Sequence, residues 1–209
     1  MSLGEFRKNL EKKYLFHIHT NYTDGQLTVK DYFEFANKNN ITTLIFTEHV
    51  RKNLNYNFLS FVQEIKSLHN EYSNINYIIG VEAKILPDGD LDIDRSILSY
   101  IDLICFASHA FPNDISLFYN SYKNLFFDSK WKNYIRIWVH PGRFFKKNGI
   151  LDKNIELLSE LIDLAIFQNI FIEKNLQDKV PPEKIKINER WLIKGYDIHT
   201  KKQLDFTLI

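Results

Sequence analysis

The chain holds one cysteine, Cys105, so no internal disulfide can staple it. Nor does it carry an excess of charge. Lys plus Arg number 27 and Asp plus Glu 26, for a formal net charge of +1. A protein that binds nucleic acid mainly by broad phosphate neutralisation is thereby excluded, although a local basic site is not. No apolar run reaches the roughly 18 residues that span a bilayer. The opening MSLGEFRKNLEKK lacks the apolar stretch of a signal peptide. The expected location is the cytoplasm, with no membrane partner. Linkers, repeats and low-complexity segments are also missing, so the 209 residues are expected to form one domain, 1–209.

What the chain does have is alternation. Apolar runs rich in Ile, Phe and Val read as strands at residues 14–19, 41–47, 75–81, 100–107, 135–139, 169–172 and 191–193. Helical spacing separates them. Thr28 is a plausible N-cap before Val29, Tyr32, Phe33 and Ala36. Phe58, Phe61, Val62, Ile65 and Leu68 mark a second helix, residues 114–130 are weakly helical, and residues 154–167 form a clear helix. Pro87 to Asp90 reads as a turn between two short strands. In residues 176–190, Pro181-Pro182 leaves little room for a long helix. About seven strand–helix units imply an α/β fold with a parallel sheet inside its helices. They suggest a TIM-type barrel one unit short.

The chain has seven histidines, and all but His69 fall at or just past the end of a predicted strand. That end of a barrel is where its loops converge on an active site. Side chains two apart on a strand share a face, so His17 projects with His19, and Asp197 with His199. Imidazole and carboxylate suit zinc, manganese or iron, and a lone cysteine argues against a thiolate site. Asp24, Glu82 and Asp197 join His17, His19, His49, His109, His140 and His199 as nine candidate ligands. Nine are too many for one ion. They suit two or three ions close together, bridged by a carboxylate.

These residues fall in ordered motifs: His17-Ile-His19, Thr23-Asp24-Gly25, Thr47-Glu48-His49, Gly80-Val81-Glu82, Ser108-His109, His140-Pro141 and Asp197-Ile-His199. In this order they resemble the PHP (polymerase and histidinol phosphatase) family, across residues 15 to about 204. The resemblance implies a distorted TIM-like (β/α)7 barrel with three divalent ions, zinc first, manganese or iron as alternatives. It would place His17, His19, Glu82 and Asp197 on the first ion. Glu82, bridging, would share the second with His109 and His140, and Asp24, His49 and His199 would hold the third. Tyr196 and Ile198 replace the Ser and Ala of the usual last motif, so that rim is expected to differ in shape.

Such a centre would hydrolyse phosphate esters, with a hydroxide held between two ions as nucleophile. Cys105, inside the fourth strand, is expected to be core packing. Arg51, Arg143 and Lys84 lie two or three residues past ligands and are the candidate phosphate-binding cations. Asn175 is a candidate to bond substrate or ligands. Phe111, Tyr22, Phe144 and Phe145 fall in loops on the same side and are candidates to stack on a base or ring. The leading expectation is a phosphatase acting on a small monoester such as histidinol phosphate or a nucleotide. The alternatives are a 3′–5′ exonuclease or other phosphodiesterase acting on nucleic acid, and a non-catalytic scaffold stabilised by its metals.

Overall fold

The computed structural model describes residues 1–207. Its strands are β1 (Tyr14–Ile18), β2 (Thr43–Val50), β3 (Asn76–Ile85), β4 (Leu91–Asp92), β5 (Leu103–Ala107), β6 (Ile135–Trp138), β7 (Ile170–Asn175) and β8 (Leu192–Gly195). All except β4 run parallel in the order β1-β2-β3-β5-β6-β7-β8. The ring is nearly closed by the segment just past β8. There Ile198 N–H donates to His17 O at 2.9 Å and His19 N–H to Ile198 O at 3.0 Å. The seven-stranded TIM-like barrel expected from the alternation is therefore present. β4 folds back antiparallel on β3 through the Pro87–Asp90 turn.

Helices α2 (Val29–Lys38), α3 (Phe58–Glu71), α4 (Ile115–Phe127), α5 (Arg143–Lys147), α6 (Ile155–Phe167) and α7 (Lys201–Phe206) follow the strands. Thr28 caps α2 in a reciprocal box with Asp31, as its position predicts. Residues 176–188 contain no helix. No described helix is long and apolar enough to cross a membrane.

Helix α1 (Leu3–Leu10) was not legible as a barrel element, although Ser2 and Glu5 form a capping box at its start. It plugs the N-terminal mouth. Phe6 is fully buried and meets Phe171 edge-on, with ring centroids 5.1 Å apart. Phe6 belongs to the inner core with Phe16, Ile45, Cys105, Ile137 and Phe171. A larger outer core lies between strands and helices. Cys105 is buried packing, as expected.

Strand alternation sorts the two cores. In β7, Ile170 and Ile172 join the outer core and Phe171 the inner one. Two strands break this rhythm. In β1 the pairing slips between Phe16 and Ile18, and His17 takes a left-handed φ of 64°. Just past β6, His140 does the same, with φ 53°. Phe16 and Val139 already face the inner core. Left-handed backbone at the next residue lets a histidine follow them inside, rather than fall on the outer face as plain alternation requires.

Candidate metal centre

The nine predicted side chains converge at the C-terminal end of the barrel. Glu82, fully buried in β3, is their hub. Nitrogens of His17, His19, His49, His109 and His140 lie 2.6–3.6 Å from its oxygens. His49 and Glu82 are direct partners across β2 and β3, because both strands run several residues further than the apolar runs suggested. Asp197 lies 3.4 Å from His17, 3.5 Å from His19 and 3.6 Å from His140. Asp24 lies 3.4 Å from His49 and 3.3 Å from His199.

Ligand atoms that could share an ion fall into three overlapping groups: His17, Glu82, His140 and Asp197; His19, Asp24, His49 and His199; and His49, Glu82 and His109. This division differs from the one implied by the family resemblance, which pairs His19 with His17 and His109 with His140. Both His17–His19 and Asp197–His199 project to the same side, as their spacing predicts.

The donor set fits metal ions. Among the described residues, buried nitrogens of His19, His49 and His140 have no hydrogen-bond partner, and buried polar atoms are rarely left so. Burial pushes His19 down to about 4, which keeps its imidazole neutral and able to bind an ion. Burial would also lower His17, but the charges of Glu173, Asp197 and Glu82 outweigh it and raise it well above the usual range. Burial would raise Glu82, but His17 and His109 hold it well below the ordinary carboxylate range. Three candidate ligands, His17, His140 and Asp197, sit on left-handed backbone. That strain, of order 1–3 kcal/mol per residue, persists only where surrounding structure enforces it.

Two buried glutamates escaped the sequence reading. Glu173 lies 2.5 Å from His17 Nδ1 through Oε1 and accepts the His140 backbone N–H at 2.8 Å through Oε2. Extending the two-residue rhythm from Phe171 would have placed it inside the barrel. Glu48 faces outward beneath the first loop. It accepts Thr20 N–H at 2.6 Å and the Thr23 hydroxyl at 2.5 Å. Those bonds hold the loop that carries Asp24. Burial pushes Glu48 up to about 7 against them.

The predicted cations are placed less uniformly. Arg143 lines a cavity of about 160 Å³ with Ser108, His109 and His140. Its Nη2 donates to Asp197 at 2.8 Å and its Nε to Asp178. Arg51 lines a wider cavity of about 530 Å³ with Asp24, His49 and His109. Its Nη1 donates to Val50 O, and Asp92 lies 3.8 Å away. Lys84 follows Glu82 on the same face of β3, which continues to Ile85. Asn175 contacts a ligand, with its Nδ2 3.2 Å from His140 Nδ1. His69, on α3, stays outside the site, its Nδ1 2.9 Å from Ile75 O.

The aromatic candidates are mostly packed into the core, although Phe111 and Phe144 also line the small cavity beside His109, His140 and Arg143. Phe144 and Phe145 lie in α5, buried in the outer core. Phe144 stacks on Phe118 at 4.3 Å, because the short helix turns its apolar face inward. Phe111 is packed in the same core, and the Tyr22 hydroxyl donates to Glu64.

A family model described as the PHP domain matches residues 16–177. The chain belongs to the PHP domain family. Over 98% of its length this PHP domain is 26% identical to the DNA polymerase/3′-5′ exonuclease PolX of Bacillus subtilis (strain 168), spanning 36% of that protein. In fold it resembles a histidinol phosphate phosphatase from Lactococcus lactis subsp. lactis Il1403, solved with zinc, L-histidinol and phosphate. The TM-score is 0.57 at 17% identity, covering 90% of this chain and 87% of that one. Ile198, one of the two enlarged positions of the last motif, is fully buried and bridges to Ile18 at the barrel seam. Its bulk packs outward, away from the PHP centre.

Proposed function

We propose that this PHP domain is a metal-dependent phosphoesterase that hydrolyses a small phosphate monoester at a three-ion centre. The observation that carries the reading is the convergence of six imidazoles and three carboxylates, with Glu82 at their hub. Three overlapping ligand groups, with Glu82 in two of them and His49 in two, suit a compact cluster better than separate sites. Divalent ions held there acidify water and neutralise charge developing on phosphoryl oxygens. Zinc suits these ligands, with manganese or iron as alternatives.

The chain's own part is to hold and orient. Glu82 is the carboxylate placed to serve two ions, and Asp24 with His49 and His199 supplies the third group. Arg143 has one terminal nitrogen, Nη1, without a protein bond among the described residues, and it lines the cavity beside His109. We assign that nitrogen as a donor to a phosphate oxygen. Arg51 and Lys84 are the further cations proposed for phosphate, Arg51 from the wider cavity. The narrow and wide cavities meet at His109. We assign phosphate to the Arg143 side and the leaving group to the wider one.

One observation favours a second reading. The PolX match runs along almost the whole chain, which keeps 3′–5′ exonuclease or other phosphodiesterase activity as the alternative. Elemental analysis of the purified protein, coupled to a screen of phosphomonoesters and short oligonucleotides, tests both readings. A protein that takes up divalent metal but cleaves nothing in the screen returns the domain to the non-catalytic, metal-stabilised alternative, and one that takes up no divalent metal overturns the metal centre itself.

A further inference from the structure

We propose that Glu173 is a positioning residue of the metal centre, holding His17 in the tautomer that offers Nε2 and holding His140 in the turn that brings its ring inside the barrel. This rests on reading His17 and His140 as ligands. Glu173 is fully buried and takes no place in the ligand groups. Both of its oxygens are instead committed to protein donors, Oε1 beside His17 Nδ1 at 2.5 Å and Oε2 on the His140 N–H at 2.8 Å. A carboxylate only accepts. It therefore fixes a proton at Nδ1, so that Nε2, 3.3 Å from Glu82 and 3.4 Å from Asp197, is the nitrogen that would exchange its proton for an ion.

The two residues it holds are those at which the barrel's in–out rhythm reverses. His17 and His140 each follow an inner-core residue and enter by left-handed backbone. One carboxylate, reaching from β7, touches both reversals. The surroundings are shaped for it. Gly195 of β8 faces Glu173 so closely that any Cβ there would overlap the carboxyl group. The absent side chain leaves the space that the carboxylate fills.

Glu173→Gln probes this role because it keeps the volume while replacing an acceptor-only carboxylate by a neutral carboxamide, and Glu173→Asp, which keeps the charge, separates the two changes. The carboxamide has one acceptor and one donor, whereas His17 Nδ1–H and the His140 N–H need two acceptors. If the NH2 group faces His17, it drives the ring proton to Nε2 and removes the ligand lone pair. If it faces His140, it opposes a backbone donor and loosens that turn.

The test titrates metal-free protein with zinc(II) against a competing chelator and follows the His17 ring nitrogens by NMR in the zinc-loaded state. Wild type is read first. No zinc uptake by wild type overturns the ligand reading, and the proposal with it. Given uptake, Glu173→Gln is expected to weaken the most sensitive ion at least roughly tenfold and to lose the His17 Nδ1 proton signal. Glu173→Asp, which keeps both acceptors, should fall between the two. Wild-type affinity together with an unchanged His17 signal in Glu173→Gln overturns the positioning role while leaving the proposed function standing. Should Glu173→Gln fail to fold, Glu173→Asp is read alone. Weaker zinc with a shifted Nδ1 proton supports the role, and wild-type values overturn it.

Discussion

Arg143 and Asp197 are joined by a hydrogen bond of 2.8 Å from Nη2 to Oδ2, which ties a candidate phosphate-binding cation directly to a candidate metal ligand. The same guanidinium also donates to Asp178, whose carboxylate lies 3.6 Å from His140 Nδ1. If Arg143 binds phosphate and Asp197 an ion, as proposed, the loss of Arg143 should be felt by both. Arg143→Ala is expected to lower kcat/KM by about 10- to 100-fold and to ease removal of metal by a chelator, since a charge-assisted bond to a ligand is lost. Arg143→Lys should restore charge but not the two-pronged geometry. Full metal retention with reduced turnover would confine Arg143 to the substrate.

Metal content is the second expectation. Purified protein should carry about three divalent ions, the number its overlapping ligand groups suit. Glu82→Ala should be the most damaging single change, because five imidazoles lose their common partner. His199→Ala should remove about one ion, weakening the group it forms with His19, Asp24 and His49. Elemental analysis of each variant checks this. A wild-type protein saturated by one ion would overturn the three-ion centre.

Stability at the far end of the barrel should depend on Phe6. Its ring is fully buried against Phe171, so Phe6→Ala is expected to cost about 3–5 kcal/mol. Urea unfolding measures the loss. The candidate metal ligands lie at the opposite mouth, so zinc content of the folded fraction should stay at the wild-type level. A shift below about 1 kcal/mol would show that α1 is dispensable to the fold.

Reaction class is the last expectation. Hydrolysis of a nitrophenyl monoester or histidinol phosphate should exceed cleavage of a single-stranded oligonucleotide at equal metal loading. A monoester needs one anion pocket, whereas tracking a nucleic acid needs a basic groove. Basic residues beyond the ligands are few: Lys146 and Lys147 near Arg143, and Lys201 and Lys202 after His199. The ammonium of Lys146 is already engaged by Asp178 O. Steeply salt-sensitive oligonucleotide degradation with little monoesterase activity would favour the exonuclease.

Much of this protein was legible along the chain. Strand runs, helix faces and the Thr28 cap are local patterns, and the ligands lie at strand ends, where a parallel barrel gathers them. The Arg143 contact to Asp197 was not legible, because the two residues come from βα units separated by a further strand and meet only around the site. That Phe145 packs into the outer core was not legible, because nothing local distinguishes a loop aromatic from one turned inward by a short helix.

Sequence order therefore determined which residues could ligate metal, since histidine and carboxylate at strand ends carry that chemistry wherever the barrel closes. Tertiary structure alone decided how they are held. His17 and His140 enter the centre against the alternation of their strands, and the carboxylate that meets both belongs to β7. Glu173 is 156 residues from His17 along the chain. Their contact exists because closing the ring leaves one small space, opposite Gly195, in which a buried carboxylate can satisfy both donors.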